Sequence, residues 1–219
     1  MQITMLKELF YKCAYRTDYK QIGDSVNYAF DEDVENKTLS VFFQGSNSIT
    51  DWVRNFLFAK DCYGVFKAHK GFLMAYREVR NLLLDKVYDA DDNGDYKWLK
   101  IIIVGYSHGG ALCQLALQDI IYHRPDIKGN ILGYAFETPR ALKVKKEYQY
   151  FWDNLIVVRN NNDIVSHCPP KIFGYSDVGT MLKIKGDTKL VKKKLPKCIK
   201  SHFPCVVYSG IIEWEKIEH

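Results

Sequence analysis

The sequence predicts an α/β protein built on a mostly parallel, doubly wound sheet with an antiparallel N-terminal hairpin at one edge. Three observations predict it. Apolar β-branched runs alternate with helical patterns through the second half of the chain, and two alternating segments flank a polar turn near its start. Between these regions, Lys100-Ile101-Ile102-Ile103-Val104 runs directly into Gly105-Tyr106-Ser107-His108-Gly109 and then into a helical pattern. Taken in order, residues 4–19 carry Met5, Leu6, Leu9, Phe10 and Cys13 at helical spacing. Segments 25–30 and 38–43 alternate around the polar turn 31–37 and predict the hairpin. Residues 51–59 and 70–87 read as helices, the second with Phe72, Tyr76, Val79, Leu83 and Val87 along one stripe. The acidic segment 89–95 lacks the glutamate that closes a calcium loop, so it reads as a solvated turn. Strand 99–104 and helix 109–122 flank the glycine-rich turn, and that helix stops before Pro125. Strand 131–136, helix 145–152, strands 155–159 and 179–184 and a terminal helix from residue 204 follow. No linker or repeat divides residues 1–219, which read as a single domain.

At 219 residues the chain can bury one sizeable core, and its 47% hydrophobic and 26% charged content is that of a soluble globular protein. No apolar run approaches the roughly 20 residues of a bilayer-spanning helix. Residues 1–20 interleave charges with aromatics and lack the apolar stretch of a signal peptide, so a cytoplasmic location is expected unless a leader has been removed. The six cysteines have neither C-x-x-C nor zinc spacing, so free thiols are expected, with a Cys198–Cys205 bridge as the alternative. The formal net charge of +5 is uneven, because eight lysines fall between Lys183 and Lys200 against one acid, Asp187. A solvated face accounts for such a run; transient contact with an anionic lipid or membrane surface is its functional alternative. Without interleaved aromatics or a recognised reading module, nucleic acid is not an expected partner.

The pentapeptide G-x-S-x-G between a β-branched strand and a helix is the pattern of a nucleophile elbow, with Ser107 on a tight turn at the sheet edge. A hydroxyl needs a base within hydrogen-bond reach and a carboxylate to orient that base. In hydrolases with this elbow the order is serine, acid, histidine, each at the end of a later strand. Asp163 follows strand 155–159 directly, whereas Asp153 and Asp177 do not follow a strand. His108 adjoins the serine and offers its backbone N–H; His123 ends a helix and His219 ends the sequence. His167 and His202 remain as candidate bases. His202 lies one strand beyond Asp163, as this topology asks, and His167 shares the acid's loop. Oxyanion donors are expected from the His108 N–H and from Ser46, in the glycine-containing strand end Phe43-Gln44-Gly45-Ser46.

These segments together resemble the class 3 (fungal-type) lipase family of the α/β-hydrolase superfamily. Phe43-Gln44-Gly45-Ser46 with Asp51-Trp52 looks like its F-x-G-[ST]…D-W segment, and His69-Lys70-Gly71-Phe72 like its strand-to-helix junction. Gly105 to Leu112 is close to its G-H-S-L-G-G-A-L elbow, with Tyr106 and His108 as departures. Phe136-Glu137-Thr138-Pro139-Arg140 is similar to F-G-x-P-R, with Glu137 where glycine is usual. Asn162-Asp163 through Pro169-Pro170 matches its acid loop, and Ser201-His202 with Tyr208 its histidine motif. The resemblance implies a serine carboxylic-ester hydrolase acting on acylglycerols or related esters, with Ser107 as nucleophile, His202 as base, Asp163 as orienter and no metal or organic cofactor. It also implies a lid near residues 49–58, which makes Trp52, Phe56, Leu57 and Phe58 candidate substrate contacts; on their own pattern they fit a core-facing helix equally well. A phospholipase A1-type enzyme, a short-chain or feruloyl-type esterase and an inactive hydrolase-fold binding module are the rival readings.

Overall fold

The computed structural model describes residues 4–45 and 59–217. Its elements are α1 (Thr4–Tyr15), β1 (Lys20–Ile22), β2 (Val26–Asp33), β3 (Thr38–Phe43), β4 (Lys60–Tyr63), β5 (Phe66–His69), α2 (Lys70–Val87) and β6 (Lys100–Tyr106). There follow α3 (His108–His123), β7 (Ile131–Phe136), β8 (Leu142–Lys143), β9 (Leu155–Asn160), β10 (Thr180–Ile184), α4 (Lys197–Lys200) and α5 (Pro204–Ile217). Among the described residues the main sheet has seven strands in the order β1-β2-β3-β6-β7-β9-β10. From β3 onward every neighbouring pair is parallel, and β1, β2 and β3 pair antiparallel.

Alternation along β6 shows why the sheet is covered on both faces. Ile101 and Ile103 point into a core shared with α2 and α3, where Leu73, Val79, Leu112 and Leu115 are buried. Ile102, Val104 and Tyr106 point to the opposite face, against Leu6, Leu9 and Phe10 of α1 and Val207 and Ile211 of α5. A strand buried on both sides must be apolar at every position, and that is why residues 101–104 read as one unbroken Ile/Val run.

Four features differ from the sequence expectation. The first helix ends at Tyr15 rather than residue 19, because the chain turns to form β1 and the Tyr19 hydroxyl donates back to the Cys13 carbonyl at 2.8 Å. Strand β2 runs on to Asp33, which shortens the hairpin turn. A second sheet, β4-β5-β8, stands apart from the first; strands of two to four residues with polar alternation carry too little periodicity to be read. Residues Lys146–Trp152 form a 3-10 helix, not an α-helix. The tighter winding stacks positions three apart, so Tyr148 and Phe151 both meet Phe66 edge-on, at 5.5 and 5.9 Å. The expected helix over 51–59 lies almost wholly outside the described residues. The cysteines are free, with no Cys198–Cys205 bridge, and no described helix is long and apolar enough to cross a membrane.

The parallel strands bring their carboxyl ends to one rim. Register places Phe43 of β3 beside Gly105 of β6, and Ala135 of β7 on its other side. Two glycines allow α3 to fold back there: a Cβ on Gly105 would lie 2.0 Å from the Gly109 carbonyl oxygen, and a Cβ on Gly109 would lie 2.1 Å from that of Phe43. Both obstacles are backbone and cannot swing aside. Gly105→Ala is expected to lower unfolding free energy by about 1–3 kcal/mol or more, the range for overpacking a filled core, as read from the midpoint of urea denaturation; an unchanged midpoint would refute the close approach.

Candidate active site

Ser107 occupies the turn between β6 and α3 with φ 56° and ψ −118°, left-handed backbone that a side chain rarely adopts. Its N–H donates to the Phe136 carbonyl at 2.9 Å, and its own carbonyl accepts from Gly110 and Ala111 at 3.0 and 3.3 Å. The strained residue is therefore clamped by the neighbouring strand and by the first turn of α3. His108 heads that helix, so its backbone N–H lies at the positive end of the dipole. Its ring packs 5.6 Å from that of Phe72. Burial, aided by the nearby His69, pushes the His108 imidazole down to about 4, so it is neutral at physiological pH.

The three side chains nominated from sequence converge. His202 Nε2 lies 2.7 Å from Ser107 Oγ, and His202 Nδ1 lies 2.7 Å from Asp163 Oδ2. All three residues are buried. Asp163 Oδ1 accepts the Val165 N–H at 2.9 Å. Burial opposes ionisation of Asp163, but the charge and hydrogen bond of His202, with help from Glu137 and the Val165 N–H, outweigh it and hold the carboxyl below its ordinary value. With Asp163 ionised, Nδ1 carries a proton toward it and Nε2 accepts from the serine. This arrangement can draw the hydroxyl proton from Ser107 as its oxygen attacks an electrophile.

The rival base does not reach the serine. His167 is exposed, and its Nδ1 donates to the main-chain carbonyl of Asp163 at 2.7 Å, bracing the acid loop. Arg140, from the P-R motif, donates to the carbonyls of His167 and Pro169 and to Asp177 at 2.7 Å. Asp177, the weaker acid candidate, is held well below the carboxylate range despite its burial by Lys171, Arg140 and Arg159. It serves that ion cluster instead of the imidazole.

Two neighbours of the triad were not among the site residues read from the sequence, although each stood out as a departure from the family pattern. The Tyr106 hydroxyl donates to the backbone carbonyl of His202, and its ring stacks 5.4 Å from the imidazole. Glu137 is fully buried beside Asp163. Glu137, Asp163 and His202 offer three potential ligand atoms within 4.8 Å of one another. Both imidazole nitrogens are already engaged at 2.7 Å, so these residues fit a hydrogen-bonded chain better than a metal centre. Ser46 and the candidate contacts Trp52, Phe56, Leu57 and Phe58 lie outside the described residues. The start of the expected oxyanion loop is described: Gln44 N–H donates to the Asn27 carbonyl at 3.0 Å, and the Gln44 side chain accepts from Asn27 at 2.9 Å.

Comparison with known proteins finds lipases. The family described as lipase (class 3) matches residues 40–173. A lipase of Rhizomucor miehei is 33% identical over 150 residues, covering 65% of this chain and 40% of that protein. A Rhizopus niveus lipase is 31% identical over 178 residues, covering 78% of this chain and 44% of that protein. The chain thus spans less than half the length of these two relatives. The solved Rhizomucor miehei triacylglyceride lipase superposes with a TM-score of 0.71 at 21% identity, covering 96% of this chain and 98% of that one, which shows the shared fold.

Two substitutions separate orientation of the base from its presence, read by the rate at which a fluorophosphonate modifies Ser107. Asp163→Asn is expected to slow modification by about 10³–10⁴-fold through the wrong imidazole tautomer. Tyr106→Phe deletes one hydrogen bond to the His202 backbone and is expected to slow it by about 2- to 10-fold, the worth of one hydrogen bond; a Tyr106→Phe rate equal to wild type would show that this bond does not position His202.

Proposed function

The chain belongs to the class 3 lipase family, and we propose that it is a serine carboxylic-ester hydrolase that cleaves acylglycerols or related lipid esters through an acyl-enzyme intermediate. The observation that carries this reading is the unbroken line from Ser107 Oγ through the His202 ring to Asp163, with both hydrogen bonds at 2.7 Å. Ser107 Oγ attacks the ester carbonyl carbon while its proton passes to His202 Nε2. The resulting oxyanion faces the His108 N–H and the loop after β3, where Ser46 is the candidate second donor. Collapse breaks the bond to the alcohol, which leaves with the proton from His202. Water then attacks the acyl carbon, again giving its proton to His202, and the acid departs as Ser107 is regenerated. Asp163 stays ionised throughout and stabilises the transient imidazolium. Each cycle consumes one ester and one water.

The description of two relatives as lipases supports a lipid-ester substrate. A cleft of about 480 Å³ opens beside the elbow, lined in part by Gly45, His69, Phe72 and His108; it adjoins the triad, whose three side chains do not line it. The assembled triad speaks against an inactive binding module. The phospholipase A1 reading keeps one specific support. Lys183, Lys185, Lys189 and Lys192 to Lys194 are exposed in and just after β10, the strand whose carboxyl end shares the triad's rim, where they suit an anionic lipid surface.

Labelling with a fluorophosphonate, followed by mass spectrometry of the modified peptide, tests the reaction class. Modification of Ser107 is expected, and it should vanish in Ser107→Ala. Modification elsewhere, or none, would overturn the proposal. Fatty-acid release from neutral triglyceride emulsions against anionic phospholipid vesicles then chooses between the two lipid readings, and a preference for short nitrophenyl esters over both would favour the esterase.

A further inference from the structure

Glu137 stands one residue beyond β7 with φ 46°, a conformation that favours glycine, and the triad chemistry makes no use of it. A side chain kept in strained backbone and wholly out of water needs a reason. Its main-chain N–H donates to the Val158 carbonyl at 2.8 Å, and its Oε1 accepts the Asn160 N–H at 2.7 Å, so the residue is clamped to β9 twice. Its Oε2 is buried and meets no nitrogen or hydroxyl donor among the described residues. Instead the carboxyl lies against Asp163: one oxygen of each acid and a ring nitrogen of His202 are mutually within 4.8 Å.

Two carboxyl groups in dry contact share a proton, because both cannot ionise side by side. Its location follows from the partners. Asp163 is held as an anion by His202 and the Val165 N–H, whereas Glu137, among the described residues, has only the Asn160 N–H and the charge of Arg159. Burial and the Asp163 charge push the Glu137 carboxyl well above its ordinary value. The charged and titratable groups facing it are Arg159 on β9, Asp163 beyond β9, Tyr106 at the end of β6 and His202 ahead of α5.

We propose that Glu137 is a positioning residue, a neutral carboxylic acid whose O–H donates to the Asp163 carboxylate and extends the Ser107–His202–Asp163 chain by one link. The inference rests on the triad reading above. The extra donor fixes the Asp163 carboxylate in the plane that His202 needs. It also draws off part of the charge that would otherwise hold a proton on the imidazole.

The test is the pH profile of Ser107 labelling by a fluorophosphonate. Glu137→Gly suits the backbone but deletes the donor; the plateau rate is expected to fall about 10-fold or more, as for loss of a hydrogen bond to a charged group, with the acidic limb displaced to higher pH. Glu137→Gln keeps an acceptor for Asn160 and supplies an N–H to Asp163, so it is expected to rescue both rate and limb. The proposal is overturned if the glutamine variant shares the glycine variant's loss, if the glycine variant keeps the wild-type profile, or if the glutamine variant moves the limb to lower pH, as loss of an ionised Glu137 would. Wild-type protein that fails to label at Ser107 would instead remove the triad reading itself. Should Glu137→Gly not fold, infrared spectra decide: a protonated-carboxyl C=O band at neutral pH, lost in Glu137→Gln, supports the proposal, and its absence from wild type overturns it.

Discussion

How closely α3 can approach β6 and β3 sets everything at the catalytic rim. The chain reverses from strand to helix within Ser107, and that reversal exists only because Gly105 and Gly109 present no side chains to the backbone atoms 2.0 and 2.1 Å from where Cβ atoms would sit. The contact forces Ser107 into left-handed backbone, a strain the surrounding packing must over-determine. It also aims the start of α3 at the rim, so that the proposed nucleophile and the proposed oxyanion donor come from adjacent residues. Parallel pairing of β3 and β7 with β6 then places the loop carrying Gln44 and Gly45 on one flank and Glu137 on the other.

Removal from water gives the hydrogen-bond chain its strength and makes it intolerant of gaps. Ser107, Asp163 and His202 are all buried, so a missing partner would leave a desolvated polar group unpaired. The molecule meets that demand with backbone anchors rather than further charges on the imidazole. Val165 donates to Asp163, His167 and Ser166 brace the Asp163 carbonyl, and Tyr106 ties down the backbone of His202. Arg140 locks the same loop from outside, and Asp177 neutralises Arg140. The two carboxyl groups Asp163 and Asp177 thus divide the work: one faces an imidazole, the other three cations.

Much of the fold was legible because its long elements are strongly periodic. The apolar run of β6, the stripe of α2 and the alternation of β2 and β3 each report burial that local pattern encodes. The pieces that escaped are short or context-bound. Strands β4, β5 and β8 pair with one another rather than with the main sheet, and the 3-10 winding of residues 146–152 answers to the aromatic ring of Phe66. Among site residues, Ser107 and Asp163 were readable from their place at strand ends. Tyr106 and Glu137 were visible as exceptions to a motif, but nothing local said what they touch.

Chain order and turn chemistry therefore pointed to Ser107, to Asp163, to His202 ahead of His167 and to the parallel α/β layout, since glycine requirements and apolar periodicity act over a few neighbouring residues. The tertiary structure showed that His202, preferred from topology, reaches Ser107 while His167 does not, and only it set Glu137 against Asp163. Those outcomes depend on sheet register and on contacts between residues 26 to 95 positions apart, which no short-range pattern records.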